Sequence, residues 1–253
     1  MSKYTILVIT VLLAFAVTPL GAQEDHAGLI SKSYTVDVKL DSFLQFEDAY
    51  RQHLQWHGKN GDGWAWNTWQ IVNGPNLGRY LLLSHGHKWA DFDTDLDMRR
   101  SEWADFLTHI APHLDNLSSS LQTFEPALSN WPVESPQPQL VEITEFDLTF
   151  DGFRDFRAAI AKIRQAVADK DTDRHYAWFS TLNGSTGPEM TLAVPHSSWA
   201  DFEPDETPLW SLVSEVYGEE EAEVMRRTIS TTVRRQESYI VRYREDLSFR
   251  PGS

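Results

Sequence analysis

The 253-residue sequence predicts an α+β protein made of two tandem βαββαβ repeats. Three observations support this fold class. Similar segments recur at a constant offset of 110 residues, as from Asp41 to Asp151 and from Asn73 to Asn183. Each copy opens with alternating apolar and polar residues and continues with apolar residues at helical spacing. Each copy also contains an Asn-Gly turn between two strand-like runs, which is typical of a β-hairpin.

The repeat needs no gap over about 60 residues, so a single period predicts the organisation of most of the chain. The motif Trp89-Ala90-Asp91-Phe92 recurs as Trp199-Ala200-Asp201-Phe202, and Phe43 and Phe46 recur as Phe153 and Phe156. Matches at both turns and apolar positions indicate that the two copies share one fold.

The elements follow in the same order in both copies. Tyr34 to Leu40 and Phe146 to Phe150 alternate as first strands, and helices follow from Phe43 and Phe153. A second helical region follows each Trp-Ala-Asp-Phe motif. Second strands, hairpin partners and a last strand are predicted at residues 64–72, 176–182, 79–84, 189–194 and 238–244. The fourth strand of the first copy is not recognisable before Pro132.

Four segments are expected along the chain. Residues 1–22 have a basic start, a short apolar run and small residues before Gln23, as in a cleavable signal peptide. Residues 33–130 and 140–249 are the two repeats, and the Pro-rich residues 131–139 are the linker between them. We therefore expect a secreted or periplasmic protein with no stable membrane insertion after signal cleavage.

The composition excludes several classes of function. The formal net charge is −15, so binding to nucleic acid is disfavoured by repulsion from phosphates. The chain has no Cys, which excludes disulfides, thiolate nucleophiles and Cys-ligated metals. It also lacks a phosphate-binding Gly-rich loop and the motifs of triad hydrolases and zinc proteases.

Two histidines form a candidate metal site. His53 and His57 are one helical turn apart and align with Ile163 and Val167, so they lie on the face that the second copy buries. Imidazoles at this spacing can bind one metal ion. The first copy is also rich in other histidines, which widens the set of possible metal or haem ligands. These are His85, His87, His109 and His113. The alternative is that these side chains are hydrogen-bonded core and surface residues.

The polar faces of the strands supply candidate catalytic residues. Asp37 and Asp147 align with each other and could share a proton, and Arg79 and His85 point to the same face as Asp37. The alternative is that these groups form structural salt bridges.

Aromatic residues supply a candidate ligand pocket. Trp64, Trp66 and Trp69 cluster near the second strand, and Tyr176 takes the place of Trp66 in the second copy. Such a cluster suits a flat apolar ligand, although the same residues could fill the space between sheet and helices.

The β-α-β-β-α-β order is the ferredoxin-like arrangement. Two fused copies resemble the dimeric α+β barrel superfamily, which includes antibiotic-biosynthesis monooxygenases, stress-responsive barrel proteins, NIPSNAP-type domains and chlorite dismutases. The resemblance covers element order and duplication, without a catalytic motif of any one family. It implies a pseudo-dimeric α+β barrel within one chain, with a ligand pocket between sheet and helices or inside the barrel.

Together these observations predict an exported protein that binds a small apolar or aromatic molecule. The alternatives are a cofactor-independent monooxygenase-like enzyme and a haem- or metal-binding protein that uses the first-copy histidines. We expect no cofactor under the first interpretation, and haem or a transition metal under the last. The expected assembly is a monomer or homodimer.

Overall fold

The computed structural model describes residues 28–93, 96–131, 137–170 and 172–252. The strands are β1 (Ile30–Val38), β2 (Asn67–Asn73), β3 (Tyr80–His87), β4 (Leu114–Phe124), β5 (Leu140–Leu148), β6 (Ala177–Asn183), β7 (Glu189–His196) and β8 (Val233–Tyr243). The α-helices are α1 (Phe43–Asn60), α2 (Leu96–His109), α3 (Phe153–Asp169), α4 (Leu209–Tyr217) and α5 (Glu219–Thr232).

All eight strands form one closed antiparallel barrel in the order β1-β3-β2-β8-β5-β7-β6-β4, with β4 returning to β1. Within the first half, β1 lies between β3 and β4, and within the second half β5 lies between β7 and β8. The halves join along two seams, β2 with β8 and β4 with β6. Closure of the barrel therefore pairs the edge strands that each half would otherwise leave with free N–H and C=O groups.

Each seam has an aromatic pair directly across the strands. Trp69 lies opposite Tyr243 with ring centroids 5.1 Å apart, and Phe124 lies opposite Phe179 with centroids 5.6 Å apart. Such cross-strand aromatic pairs stabilise an antiparallel sheet and fix its register.

The helices cover the outside of the barrel, and the apolar core is divided accordingly. One cluster lies between α1, α2 and the first half of the sheet, and a second lies between α3, α4, α5 and the second half. A third cluster fills part of the barrel interior, and it includes Trp69, Val141 and Tyr239. The two faces of every strand are therefore used by different layers, as the two-residue period of a strand requires.

The predicted elements are present, with three differences. The fourth strand of the first half exists as β4, and β1 begins at Ile30, before the predicted start of the first repeat at Ser33. The second half has two helices, α4 and α5, between β7 and β8. The predicted signal peptide, residues 1–22, and residues 132–136 of the predicted linker lie outside the described residues. Descent of the two halves from a duplication stays a prediction.

None of the helices within the described residues is long and apolar enough to cross a membrane.

Candidate functional site

A cavity of about 400 Å³ lies between α1, α2 and the outer face of the first half of the sheet. Its apolar wall is mostly aromatic and consists of Tyr34, Tyr50, Trp66, Leu82, Trp103, Phe106 and Leu117. Its polar wall is formed by α1 and α2, which contribute His53, His57, Arg99, Arg100 and Glu102.

His53 and His57 lie side by side in this cavity, one turn apart on α1. Their side chains are 5% and 4% exposed, and their Nε2 atoms are 3.2 Å apart. The rings meet nearly edge to face, at an interplanar angle of 76°. Because both sit on the buried face of α1, the helix itself brings the two nitrogens together.

Two carboxylates contact the opposite ring nitrogens. Oδ2 of Asp105 lies 2.7 Å from Nδ1 of His53, and Oδ2 of Asp62 lies 2.8 Å from Nδ1 of His57. The His53 contact is a hydrogen bond, whereas the His57 contact is equally short but does not have hydrogen-bond geometry. Carboxylates in this position fix the tautomer and orientation of metal-binding histidines.

Glu102 completes a group of three possible metal ligands. One ligand atom from each of His53, His57 and Glu102 lies within 4.8 Å of the others. Glu102 lies on α2, so two helices build the group. Two histidines and one carboxylate form a common ligand set for divalent transition metals.

The pKa values in the site reflect burial and these contacts. Burial lowers the pKa of His53, and its hydrogen bond to Asp105 opposes this only in part. Burial also raises the pKa of Glu102. For Asp62 burial acts to raise the pKa, but the contacts of His57 and the Trp64 N–H outweigh it, and the pKa lies below its ordinary value.

This arrangement leaves an electrostatic problem between the two rings. When each Nδ1 carries its proton toward a carboxylate, each neutral ring presents an Nε2 lone pair, and the two lone pairs face each other. Two acceptors at 3.2 Å repel, whereas a proton on Nε2 of one ring turns the contact into a hydrogen bond between the rings. A metal ion between the two nitrogens would replace that proton.

The other histidines that the sequence singled out do not join this group. His85 lines the barrel interior, with Nδ1 2.8 Å from Oγ of Ser31. His87 stacks on Trp64 at 3.7 Å between ring centroids. His109 contacts Asp105, through Oδ1 at 3.1 Å, and His113 lies in the turn before β4.

The geometry also argues against joint ligation of haem by His53 and His57. A haem iron offers protein ligands two positions on opposite sides of the ring. Two nitrogens 3.2 Å apart are adjacent ligands instead, because at metal–nitrogen distances of about 2.1 Å opposite ligands lie roughly 4 Å apart.

The predicted catalytic carboxylates, Asp37 and Asp147, are far apart in the barrel. β1 and β5 are separated by three strands in either direction, so the proposed shared proton between the two is wrong. Each pairs with a guanidinium instead, Asp37 with Arg79 and Asp147 with Arg235 at 3.3 Å. Arg79 and His85 both line the barrel interior, six residues apart along one strand, which is about 20 Å.

The four predicted ligand-binding aromatics do not share one pocket. Trp66 lines the outer cavity, whereas Trp69 lines the barrel interior. Trp64 packs on His87, and Tyr176 packs against the core of the second half. The reason is the alternation of side chains along the strand, which sends Trp66 and Trp69 to opposite faces.

Sequence reasoning missed Glu102, Asp105 and Asp62. Glu102 and Asp105 are three residues apart on α2, and with His109 they form a polar stripe on one helix face. That stripe was the available signal. Asp62 lies in the loop after α1, and only the folded chain brings it to His57.

No family model matches the sequence, and no curated protein resembles it significantly. Similar folds occur among solved structures. A proposed monooxygenase of Lactobacillus acidophilus NCFM has a TM-score of 0.52 at 8% identity, covering 89% of this chain and 97% of that chain. An anthrone oxidase-like protein has a TM-score of 0.53 at 11% identity, covering 90% and 96%. A mutant chlorite dismutase from Candidatus Nitrospira defluvii has a TM-score of 0.52 at 10% identity, covering 90% and 97%. At these identities the likeness concerns the fold, and the chain therefore has the ferredoxin-like α+β barrel fold of these proteins.

Proposed function

We propose that this protein binds a divalent transition-metal ion through His53, His57 and Glu102. An ion held by these residues would activate a small, largely aromatic molecule that binds in the same cavity. The observation that carries this proposal is the pair of buried Nε2 atoms, 3.2 Å apart and each backed by a carboxylate on the other side of its ring.

The distance between the nitrogens suits two adjacent ligands of one ion. With metal–nitrogen bonds of about 2.1 Å, a separation of 3.2 Å corresponds to a ligand–metal–ligand angle of about 100°. This angle lies between the octahedral and tetrahedral values. The two histidine side chains therefore need little movement to bind one metal ion.

The ligand set leaves coordination positions for other molecules. Three protein ligands are fewer than the four to six that a divalent transition metal takes, so water or substrate completes the shell. Burial lowers the pKa of His53, which favours the neutral ring that a metal ligand must have.

The cavity wall supports the class of ligand. Aromatic side chains from the sheet, α1 and α2 line the cavity, and they suit an aromatic or other apolar body. Arg99 and Arg100 line the same cavity, so an anionic group on the ligand would meet two guanidinium groups. We infer an aromatic or apolar molecule that carries an anionic group.

Metal analysis of the purified protein tests this function. The chain, purified without a His-tag, is loaded with Zn²⁺, Mn²⁺, Fe²⁺ or Co²⁺ and dialysed, and metal per chain is measured. We expect about one ion per chain, and at 100-fold excess over the dissociation constant about 2.7 kcal/mol of added stability. Less than a tenth of an ion per chain, with no change in melting temperature, contradicts the proposal.

Three variants locate the site. His53→Ala and His57→Ala should each lower metal content at least tenfold, and Glu102→Gln should weaken binding while leaving the fold intact, because Glu102 is only partly buried. His175→Ala is the matched control, since His175 lies in the other half, outside the cavity. An equal loss in the control would show that the effect is not local.

Oxidation is the activity to assay first. Fe²⁺-loaded protein, an aromatic acid and ascorbate are incubated in air. One oxygen atom of O₂ would then enter the substrate and the other would leave as water, with two electrons from ascorbate and two protons from ascorbate and solvent. Substrate-dependent O₂ uptake that disappears in His57→Ala supports a metal-dependent enzyme.

A cofactor-independent monooxygenase is the alternative function, and the fold of the similar solved structures is compatible with it. It would use His85 or Asp37 as a base, and its activity would survive chelation by EDTA. Activity that resists EDTA but is lost in His85→Ala would favour this alternative over the metal site.

Export belongs to the same proposal. Cleavage before Gln23 would remove residues 1–22. Amino-terminal sequencing of the protein from its native cells, together with its native mass, tests export and the expected monomer or homodimer.

A further inference from the structure

The barrel interior is a second cavity, of about 550 Å³, and the sheet separates it from the outer cavity. Neighbouring residues of one strand face the two spaces. Tyr34 and Leu82 face the outer cavity, and Thr35 and Leu83 face the interior. Ser118 and His85 line the interior and are solvent-exposed, so the cavity communicates with solvent.

Carboxyl groups are concentrated in the second-half wall of this cavity. Glu145 on β5 and Glu189 on β7 both line it. In the strand pairing Glu145 lies directly opposite Glu237 on β8, and Asp147 lies directly opposite Glu189. Like charges directly across an antiparallel pair destabilise the sheet, so both pairs break a rule of strand pairing.

The charges of this group are not balanced. Arg235 lies 3.3 Å from Asp147 and 3.4 Å from Glu237, and it is the guanidinium in contact with these carboxyls among the described residues. Glu145 accepts a hydrogen bond from Tyr239 Oη at 2.8 Å, and Glu189 accepts one from Thr181 Oγ1 at 2.7 Å. Burial raises the pKa of both glutamates. Glu189 also makes a side-chain contact with the Asp147 carboxyl, which raises its pKa further.

Thr191 adds an independent observation. It lies on the same wall, directly opposite Glu145, and its side chain is 7% exposed. Its hydroxyl has no hydrogen-bond partner among the described residues. A buried polar group without a partner costs free energy that a bound ligand can recover.

Aromatic side chains line the rest of the cavity. Trp69, Phe179 and Tyr239 come from three strands around the barrel. Aromatic faces attract organic cations and also pack against apolar bodies. A desolvated excess of carboxylates beside aromatic rings is the chemistry that recognises an ammonium group on an apolar molecule.

We propose that the barrel interior binds a small organic ammonium ion, with its charged nitrogen at Glu145 and Glu189 and its apolar body against Trp69 and Phe179. This site is separate from the metal site proposed above and does not depend on it.

Calorimetric titration of the full-length chain in EDTA tests the ligand class. The probes are 2-phenylethylammonium, the neutral 2-phenylethanol and the anion 3-phenylpropanoate, which share a phenyl group and a two-carbon chain. The ammonium ion should bind at least tenfold more tightly than the alcohol, and the anion more weakly than either. Equal binding of the alcohol and the ammonium ion, or tighter binding of the anion, overturns the proposal.

Variants test the position of the site. Glu145→Gln and Glu189→Gln should each weaken binding of 2-phenylethylammonium at least tenfold and leave binding of 2-phenylethanol unchanged, which also shows that the barrel is intact. Glu142→Gln is the matched control, because Glu142 lies on the same strand but on the opposite face. An equal effect of the control, or no effect of the two cavity variants, overturns the assignment.

A further variant separates the two proposals. His53→Ala should leave the affinity for 2-phenylethylammonium within twofold. Loss of ammonium binding in His53→Ala places the probe in the outer cavity and overturns the barrel site, whether or not the metal proposal holds.

Discussion

Asp105 holds two histidines through different oxygens, His53 through Oδ2 and His109 through Oδ1. Its carboxylate fixes the proton of His53 on Nδ1 and leaves Nε2 free for a metal ion. We therefore predict that Asp105→Asn weakens metal binding by about 10- to 100-fold without removing a ligand. Titration with Co²⁺, followed by its visible absorption, measures the affinity.

His109→Ala is the control for that variant. It removes the other partner of Asp105, and because His109 is exposed, the metal affinity should stay within twofold. An unchanged affinity in Asp105→Asn would mean that the carboxylate plays no part in orienting His53.

A second prediction concerns Arg244 and its two carboxylates. Arg244 hydrogen-bonds to Glu47 and to Asp246, and these bonds hold the pKa of both carboxyls below their ordinary values. Because the folded pKa values are depressed, this stabilisation is present above the unfolded pKa values of about 4 and is lost as the pH falls further. Stability should therefore drop more steeply below about pH 4 in the native protein than in Arg244→Met.

Urea unfolding between pH 7 and pH 2.5 measures this difference. The slope against pH is the informative quantity, because Arg244→Met also removes packing at all pH values. Parallel curves for the two proteins would exclude this network as a source of acid sensitivity.

At the scale of single residues, the sequence predicted part of the candidate metal site. Alignment of His53 with Ile163 identified a buried face, and helical spacing then placed His57 beside it. Glu102 and Asp62 could not be predicted in the same way, because they come from another helix and a loop. Their positions follow from how α2 and the end of α1 pack on the sheet.

At the scale of elements, the hairpin turns do more than reverse the chain. Gly74 directly follows β2 in the turn of one hairpin, and Gly184 directly follows β6 in the turn of the other. Both glycines have φ near +100°. Each turn lies against a strand of the other half. A Cβ on Gly184 would lie 2.5 Å from the Ser119 carbonyl oxygen, and one on Gly74 would lie 2.9 Å from that of Ser238. The Asn-Gly turns therefore sit at the two seams.

We predict that Gly184→Ala lowers the free energy of unfolding by roughly 2 kcal/mol or more, since a left-handed alanine costs about 1–2 kcal/mol before any clash. Gly61→Ala is the matched control, with φ of +69° and no atom within 4 Å of the added Cβ. It should carry only the left-handed cost of about 1–2 kcal/mol, without the added clash. Urea unfolding measures the free energy of unfolding of both variants. Equal decreases would mean that the seam tolerates the methyl group.

The sequence predicted most helices and strands because their apolar residues recur at clear helical or two-residue spacing. β4 is the strand that the sequence did not predict, and it shows where the apolar–polar periodicity alone is insufficient. Its central residues are Ser118, Ser119 and Ser120, so the alternation of apolar and polar residues is absent. β4 is held by pairing with β1 and β6 on both sides. Its position thus depends on partners distant in the sequence.

At the scale of the whole molecule, the two halves share one sheet. Neither half can lose its strands without opening both seams, so the chain should unfold in one cooperative step. Calorimetry should give a van't Hoff enthalpy close to the calorimetric value, and circular dichroism and Trp fluorescence should report one midpoint. Two resolved transitions would mean that the halves are independent.

The seams also affect how the protein behaves on dilution. In a barrel made by two separate chains, each seam is an equilibrium that shifts toward free subunits as the concentration falls. Here both seams, β2 with β8 and β4 with β6, join parts of one chain. The linker keeps the effective concentration of each half around the other constant. The metal affinity proposed for the outer cavity should therefore be the same at nanomolar and micromolar protein, with no lag on dilution.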